Sequence, residues 1–174
     1  MGEIRSVIEL GDGRLRLQAQ PVHHIDDPQL QRVIDDLLTT GAAKNGVGIA
    51  APQVALGLQL FIVASRPNPR YPQAPTMEPT AMINPHILSH SDDLVRGWEG
   101  CLSVPGRRGL VPRYREIEVA YQDRYGQVHR HYLQDFVARI FQHEYDHLQG
   151  MIFLDRIDDP RDILTEAEYQ QRFG

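Results

Sequence analysis

Apolar residues recur at helical spacing in a stretch that begins shortly after residue 27. Asp27 is followed by Pro28, and an N-cap residue before a proline at the first helical position is typical of a helix start. The apolar positions that follow are Leu30, Val33, Ile34, Leu37 and Leu38. Gly41 marks the expected end of the helix. The pattern predicts an amphipathic first helix whose apolar face belongs to the core.

A second helical pattern covers residues 136–149. Its apolar positions are Val137, Ile140, Phe141 and Leu148. Asp135 is the expected N-cap and Gly150 the expected residue just beyond the helix. The apolar spacing predicts that one face of this helix is buried, while two histidines lie on the neighbouring face.

Shorter apolar runs predict β-strands at residues 59–64, 81–88, 117–121 and 128–133. The last two flank Asp123-Arg124-Tyr125-Gly126, which is typical of a hairpin turn. Residues 65–80 contain five prolines and predict a long surface loop, which could either flank a binding groove or simply connect two strands. Residues after about 156 are mostly polar and predict a tail. Together these elements predict one α+β domain over residues 1–174, with strands around the second helix.

Composition narrows the class of protein. The chain has 174 residues, of which 41% are hydrophobic and 24% charged, as is usual for a globular domain. A net charge of −5 does not favour sequence-independent binding to nucleic acid, so DNA is not an expected partner. No apolar run approaches a membrane span. The single cysteine suits a reducing compartment, and we expect a cytoplasmic protein. One basic cluster predicts a solvated rim, although it could also steer the protein to an RNA-rich partner: Arg107, Arg108, Arg113 and Arg115.

The second helix carries the pattern HExxH at His143-Glu144-Tyr145-Asp146-His147. Residues four apart share a helix face, so His143 and His147 can direct their imidazoles at one metal ion. Glu144 lies close enough to exchange protons with a water molecule there. A catalytic site of this kind usually takes three protein ligands, which makes the third ligand the informative question.

Downstream candidates for the third ligand are weak. Phe153 stands where one zinc-protease pattern requires a histidine. Glu166 and Glu168 lie in the polar tail, where little core is expected to support a further helix. Upstream, Cys101 is the only cysteine of the chain, and a thiolate with two imidazoles leaves one coordination position open.

Three segments together resemble the peptide deformylase family, in its bacterial type. They are Gly46-Val47-Gly48-Ile49-Ala50-Ala51-Pro52-Gln53, Glu99-Gly100-Cys101-Leu102-Ser103 and Gln142-His143-Glu144-Tyr145-Asp146-His147-Leu148. The likeness covers residues from about 7 to about 156. It implies antiparallel strands packed around a central metal-binding helix. Asp135 departs from the pattern, because this position often holds glycine in the family.

The resemblance implies an enzyme that removes the formyl group from the N-terminal formyl-methionine of new polypeptides, releasing formate. Cys101, His143 and His147 would bind one divalent metal ion; the resemblance implies Fe²⁺ as the working ion, with Zn²⁺ or Ni²⁺ able to take its place. Glu144 would act as general base and then general acid. Its expected partners are N-formyl-methionyl nascent peptides and, transiently, the ribosome.

The resemblance also assigns the remaining site residues. The side-chain amide of Gln53 and the backbone N–H of Leu102 would stabilise the oxyanion. Gly48 would let the backbone approach the substrate. The apolar pocket for methionine would be formed by Val47, Phe136 and Ile140. Glu99, paired with Arg113, would orient the metal ligands.

Two other functions remain open at this point. A zincin-type endopeptidase would keep its metal after Cys101→Ser and use a carboxylate near Glu166. A catalytically silent paralogue would bind metal or peptide without turnover. His129 and His131 alternate on one strand face and could form a second metal pair, although exposed strand residues are the simpler interpretation.

Overall fold

The computed structural model describes all 174 residues. It contains three α-helices and eight β-strands. The helices are α1 (Pro28–Ala43), α2 (Asp135–Leu148) and α3 (Glu166–Phe173). The strands are β1 (Gly48–Ala50), β2 (Leu60–Val63), β3 (Thr80–His90), β4 (Leu94–Cys101), β5 (Val104–Tyr114), β6 (Glu116–Gln122), β7 (Val128–Gln134) and β8 (Ile163–Thr165).

The strands form two antiparallel sheets. Five strands pair in the order β1-β2-β3-β6-β7, and three pair in the order β4-β5-β8. Helix α2 contacts strands of both sheets. The predicted α+β domain with antiparallel strands around the central helix is therefore confirmed.

Two apolar clusters hold the helices against the larger sheet. Phe141 of α2 meets Phe61 of β2 edge-on, with ring centroids 5.1 Å apart. Ile34 and Leu37 of α1 are fully buried in a separate cluster that includes Leu60. Burying one such side chain contributes about 1.5–3 kcal/mol, so these faces fix the helix positions. Helix α1 continues past Gly41 to Ala43, two residues further than predicted.

The start of α2 differs from the prediction. Gln134 is the N-cap, and Asp135 is the first helical residue, with a left-handed φ of 53°. The Asp135 side chain does not cap the helix; it lies 3.7 Å from the guanidinium of Arg115. A left-handed φ explains why glycine suits this position. At the other end, Gly150 has a φ of 74°, which confirms it as the residue that follows the helix.

Strands β4 and β5 were not predicted, and the basic cluster lies on and beside β5. The expectation of a solvated rim is wrong for two of its members. Arg108 is 2% exposed and Arg113 is 3% exposed. Arg113 is paired with the buried carboxylates of Glu99 and Asp146, and Arg108 with the partly exposed carboxylate of Glu166.

The region after residue 156 also differs from the prediction, because its end folds into β8 and α3. The expectation that nothing would support a helix there is wrong. Trp98 of β4 contacts the rings of Tyr169 and Phe173, with centroids 5.5 Å and 5.4 Å away. Thr165 caps the helix by accepting a hydrogen bond from the N–H of Glu168. Tyr169 and Phe173 give α3 an apolar side, and the otherwise polar composition of this segment did not reveal it.

Residues 64–79 contain no helix or strand, as the prolines predict. None of the three helices has both the length and the apolar character that crossing a bilayer requires.

Candidate active site

Three side chains converge beside α2. The ligand atoms of Cys101, His143 and His147 all lie within 4.8 Å of one another. The Sγ of Cys101 is 3.5 Å from Nε2 of His147. All three residues are buried. This is the one group of three or more histidine, cysteine or carboxylate side chains whose ligand atoms converge in this way.

Local structure explains the convergence. His143 and His147 are one helical turn apart on α2 and share its face. Cys101 ends β4, where the pairing with β5 shifts register after Glu99 and the chain turns through Leu102 and Ser103. At this irregular end of β4, the side chain of Cys101 lies next to helix α2, with its Sγ close to His147.

Glu99 fixes the orientation of His143. Its Oε1 lies 2.8 Å from Nδ1 of His143 and accepts a hydrogen bond from Arg113 at 2.9 Å, while its Oε2 accepts bonds from Arg113 and Arg139. Burial acts to raise the pKa of Glu99, but the charge of Arg113 and the hydrogen bonds from His143 and Arg113 outweigh it. They hold the pKa well below the usual carboxyl range. An ionised Glu99 requires Nδ1 to be the donor, which leaves Nε2 of His143 free to bind a metal.

The same network contains two residues that the sequence did not single out. Arg113 also donates to Asp146 at 2.6 Å, and Asp146 accepts further bonds from Arg156. Arg139 donates to Glu99 at 2.7 Å. Arg139 lies four residues before His143 and Asp146 three after it, so helical periodicity could have placed both beside the metal ligands.

Glu144 is a buried carboxyl without a fixed partner. It is 4% exposed, and its Oε2 makes no hydrogen bond. Burial raises the pKa of Glu144 to about 7, although the charge of His143 opposes the shift. A carboxyl with such a pKa can take up and release a proton near neutral pH.

Glycine is required where Glu144 meets β1. A Cβ on Gly48 would lie 2.8 Å from Oε1 of Glu144 and 3.0 Å from Cγ2 of Ile140. Any side chain at residue 48 would therefore displace the carboxyl or the wall of the cavity.

Gln53 points its amide nitrogen at the cysteine. It is 1% exposed; its Oε1 accepts a hydrogen bond from the N–H of Ala50 at 2.9 Å, which orients the amide. Its Nε2 donates to Ser103 at 3.1 Å and lies 3.6 Å from Sγ of Cys101. A fixed N–H donor next to the metal ligands can stabilise negative charge there.

A cavity opens onto these groups. Predicted site residues that line it are Val47, Gly48, Gln53, Glu99, Cys101, Leu102, Phe136, Ile140, His143 and Glu144. Arg113 and His147 are not among the lining residues; both lie behind it, and Arg113 acts through Glu99. The sequence did not single out five further lining residues as site residues: Gly46, Arg70, Tyr71, Gly100 and Arg139. Arg70 and Tyr71 belong to the proline-rich loop, which therefore reaches the cavity.

The second histidine pair is separate. Nε2 of His129 lies 2.7 Å from the carboxylate of Asp123, and the His129 and His131 rings stack with centroids 5.8 Å apart. They do not form a converging group of metal ligands, so the interpretation as ordinary strand residues stands.

The donor set fits a divalent transition metal. A buried thiol and two imidazoles, one with its tautomer fixed by Glu99, are typical of a site that holds such an ion and keeps one position open. The unpartnered Oε2 of Glu144 stands beside that set, as a proton-exchanging group should.

Comparison with known proteins agrees with this geometry. The family model for polypeptide deformylase matches residues 4–162. Peptide deformylase 2 of Nostoc sp. is 60% identical over 169 residues, which is 97% of this chain and 94% of that protein. Peptide deformylase 1 of Bordetella pertussis is 47% identical over 97% of this chain and 93% of that protein.

Solved structures give the same result. A class I type b peptide deformylase from Acinetobacter baumannii, solved with Met-Ala-Ser bound, superposes with a TM-score of 0.88 at 45% identity. The match covers 90% of this chain and all of that one. Sequence likeness over nearly the whole length, together with the shared fold, shows that the chain belongs to the polypeptide deformylase family.

Proposed function

We propose that this chain is a metal-dependent hydrolase that removes the formyl group from the N-terminal formyl-methionine of newly synthesised polypeptides and releases formate. The observation that carries the proposal is the convergence of Cys101, His143 and His147 beside the partnerless carboxyl of Glu144, in a member of this family. The Acinetobacter baumannii relative binds a peptide that begins with methionine, which is what the reaction would leave.

Cys101, His143 and His147 would hold the metal ion. When bound, a divalent ion polarises the formyl carbonyl and activates a water molecule for attack. Fe²⁺ is our proposal for the working ion, and Zn²⁺ or Ni²⁺ could occupy the same ligands. A thiolate and two imidazoles accept all three ions, so metal analysis of the purified protein decides the choice.

Glu144 would move the protons. Its raised pKa lets the carboxylate accept a proton from the attacking water and return it to the departing amine. Because its Oε2 has no competing hydrogen bond, the group is free to make one to the reacting atoms. The enclosed position also keeps other water from competing for the proton.

Gln53 and Leu102 would stabilise the oxyanion that forms on the formyl oxygen when water adds to the formyl carbon. The amide nitrogen of Gln53 is directed at Cys101, and Leu102 follows that cysteine in the turn. Two such N–H donors, aimed where charge develops, typically lower a barrier by about 3–4 kcal/mol each. The oriented amide of Gln53 costs little reorganisation during the reaction.

The methionine side chain would occupy the apolar part of the cavity. Val47, Phe136 and Ile140 line that part. Gly48, which has no room for a Cβ, would bring the peptide backbone close to Glu144. Glu99 and Arg113 would hold His143 in its metal-binding orientation.

The rival functions have less support. For a zincin, Glu166 would have to ligate the metal, but both its oxygens accept hydrogen bonds from Arg108. A silent paralogue would lose proton-transfer or orienting groups, but Glu144, Gln53 and Glu99 are all present. Work on nascent chains in the cytoplasm and a transient contact with the ribosome remain predictions.

Formate release from a short N-formyl-methionyl peptide tests the proposal. The protein is purified without oxygen, loaded with Fe²⁺ or Ni²⁺, and compared with Glu144→Gln at equal metal content. We expect the variant to lose a factor of about 10²–10⁴ in kcat while it keeps its metal. An inactive wild-type protein with a full equivalent of metal would overturn the proposal. Glu168→Gln, on α3, is a matched control and should retain wild-type activity.

A further inference from the structure

Arg70 stands at the cavity without a carboxylate at ion-pair distance, although the charge of Glu166 is close enough to interact with it. It belongs to the proline-rich loop and lines the cavity, and it takes part in none of the sixteen ion pairs of the structure. A Cβ on Gly100 would lie 3.1–3.3 Å from Cδ, Nε and Cζ of Arg70. The guanidinium therefore lies directly over the backbone that precedes Cys101.

The loop around Arg70 is held on both sides. Asn68 accepts hydrogen bonds from the N–H groups of Arg70 and Tyr71 at 3.0 Å and 3.1 Å. The hydroxyl of Tyr71 accepts one from the N–H of Gly100 at 2.9 Å, and its ring packs 4.9 Å from that of Phe136. These contacts make a short, fixed turn that forms one wall of the cavity.

A single buried guanidinium joins this wall to the C-terminal helix. Nη1 of Arg108 donates to the carbonyl of Arg70 at 3.2 Å. Its Nε and Nη2 donate to the two carboxylate oxygens of Glu166 at 2.8 Å and 2.9 Å. The ring of Tyr169 covers the group, with its centroid 4.0 Å from Cζ. Helix α3, which carries Glu166 and Tyr169, lies beyond the residues that match the family model.

Arg108 needs Glu166 to stay where it is. Its side chain is 3% exposed, and an unpaired buried guanidinium is costly. Hydrogen bonds from Arg108 lower the pKa of Glu166 to about 2, so the carboxylate is ionised at neutral pH. Without that charge, Arg108 must turn toward water, and the carbonyl of Arg70 loses its donor.

We propose that Arg70 determines how the enzyme binds the peptide beyond the formyl-methionine, and that Arg108 and Glu166 are positioning residues that hold it there. The ligand atoms are carbonyl or carboxylate oxygens of the peptide, which a partnerless guanidinium at the cavity would bind. This inference rests on the proposed deformylase function. It predicts an effect on substrate binding rather than on the chemical step, because Arg70 is neither a metal ligand nor one of the groups proposed to move protons or stabilise the oxyanion.

Steady-state kinetics with formyl-Met-Ala-Ser test the proposal in the metal-loaded enzyme. Glu166→Gln should raise KM by about threefold to tenfold and leave kcat within about twofold, since the charge-assisted bonds from Arg108 are only partly lost. Glu168→Gln makes the same charge change two residues away on α3, without touching Arg108, and should leave KM unchanged. An unchanged KM in Glu166→Gln, or an equal rise in Glu168→Gln, overturns the inference.

A double-mutant cycle separates positioning from general loosening of the fold. Arg70→Ala keeps the backbone carbonyl but removes the guanidinium, so Glu166→Gln should add nothing to KM in that background. An undiminished effect there would contradict the inference. Should Glu166→Gln fail to fold, Tyr169→Leu replaces it: it leaves the Glu166 pair intact, and a KM rise of about twofold is expected, whereas an unchanged KM overturns the inference.

An inactive wild-type enzyme would overturn the deformylase function itself. A wild-type enzyme that is active but indifferent to Glu166→Gln and Arg70→Ala would overturn only the role assigned here. The two failures are therefore distinguishable.

Discussion

Two arginine–carboxylate pairs in this molecule have similar geometry and very different surroundings. Arg113 donates to Glu99 at 2.9 Å, with both side chains 3% exposed. Arg161 donates to Asp159 at 2.7 Å, with side chains 89% and 39% exposed. The distances are nearly equal, so distance does not tell the pairs apart. Burial does, because water screens the second pair and cannot reach the first.

The buried pair is also connected. Glu99 bonds His143 and Arg139, and Arg113 continues to Asp146. The exposed pair connects two residues that are only two positions apart in the chain. We infer that the buried pair sets the geometry of the metal ligands, whereas the exposed pair stabilises a local turn.

Breaking the buried pair should have the largest effect. Arg113→Ala removes the buried guanidinium that Glu99 and Asp146 share and leaves each carboxylate with one remaining arginine, Arg139 or Arg156. We expect a loss of about 3–5 kcal/mol in the free energy of unfolding. Metal affinity should fall by a factor of about 10–100, because Glu99, which orients His143, is itself no longer held by Arg113. Denaturant titration and metal competition measure the two effects. A loss no larger than that of Arg161→Ala would remove the distinction between the pairs.

Glu144 shows the effect of burial without an ion pair, because its side chain is buried and its Oε2 has no hydrogen-bond partner. In metal-free protein, burial raises the pKa of Glu144 from 4.5 to about 7. The folded state then holds this proton more tightly than the unfolded state. Its contribution to stability is complete below about pH 4.5 and is lost as the pH rises through about 7.

Glu144→Gln cannot ionise, so it should not show this loss. Relative to wild type, we expect its stability to improve between pH 5 and pH 8 by on the order of 3 kcal/mol. Denaturant titrations of both metal-free proteins at the two pH values test this expectation. Parallel pH profiles would show that burial of this carboxyl does not control its protonation.

Breaking the exposed pair should have the smallest effect. Arg161→Ala removes a partner that water replaces at once, and we expect no measurable change in Tm, metal content or kcat. Thermal melts and activity measurements alongside Arg113→Ala provide the check. A loss comparable to that of Arg113→Ala would mean that the exposed turn has a structural role that its solvent exposure does not indicate.

The sequence predicted the parts of the site that depend on local spacing. His143, Glu144 and His147 follow from the helical period, and Cys101 from being the only cysteine. Four of the eight strands, β2, β3, β6 and β7, were found because their apolar runs are continuous, whereas β1 and β8 are only three residues long and were missed. Strands β4 and β5 were missed because Gly97, Gly100 and Gly109 interrupt their alternation of apolar and polar residues.

The parts that were missed depend on contacts between distant segments. Arg70 reaches the cavity through hydrogen bonds from Gly100 and Arg108 to its loop. The proline-rich stretch left open whether the loop flanks the groove, and it did not indicate which of its side chains would do so. Helix α3 was missed because its support comes from Trp98. The basic cluster was misjudged because sequence shows the charge of Arg108 but not the carboxylate that meets it.

Helix α2 presents Phe141 to the sheet and His143 to the metal site, two residues further along the chain. One inserted or deleted residue would turn everything beyond it by about 100° and exchange the two faces. Over the course of evolution, therefore, this segment can accept substitutions but not insertions or deletions. The proline-rich loop has no such periodic constraint between Ala64 and Pro79, and we expect lineages to differ there by insertions.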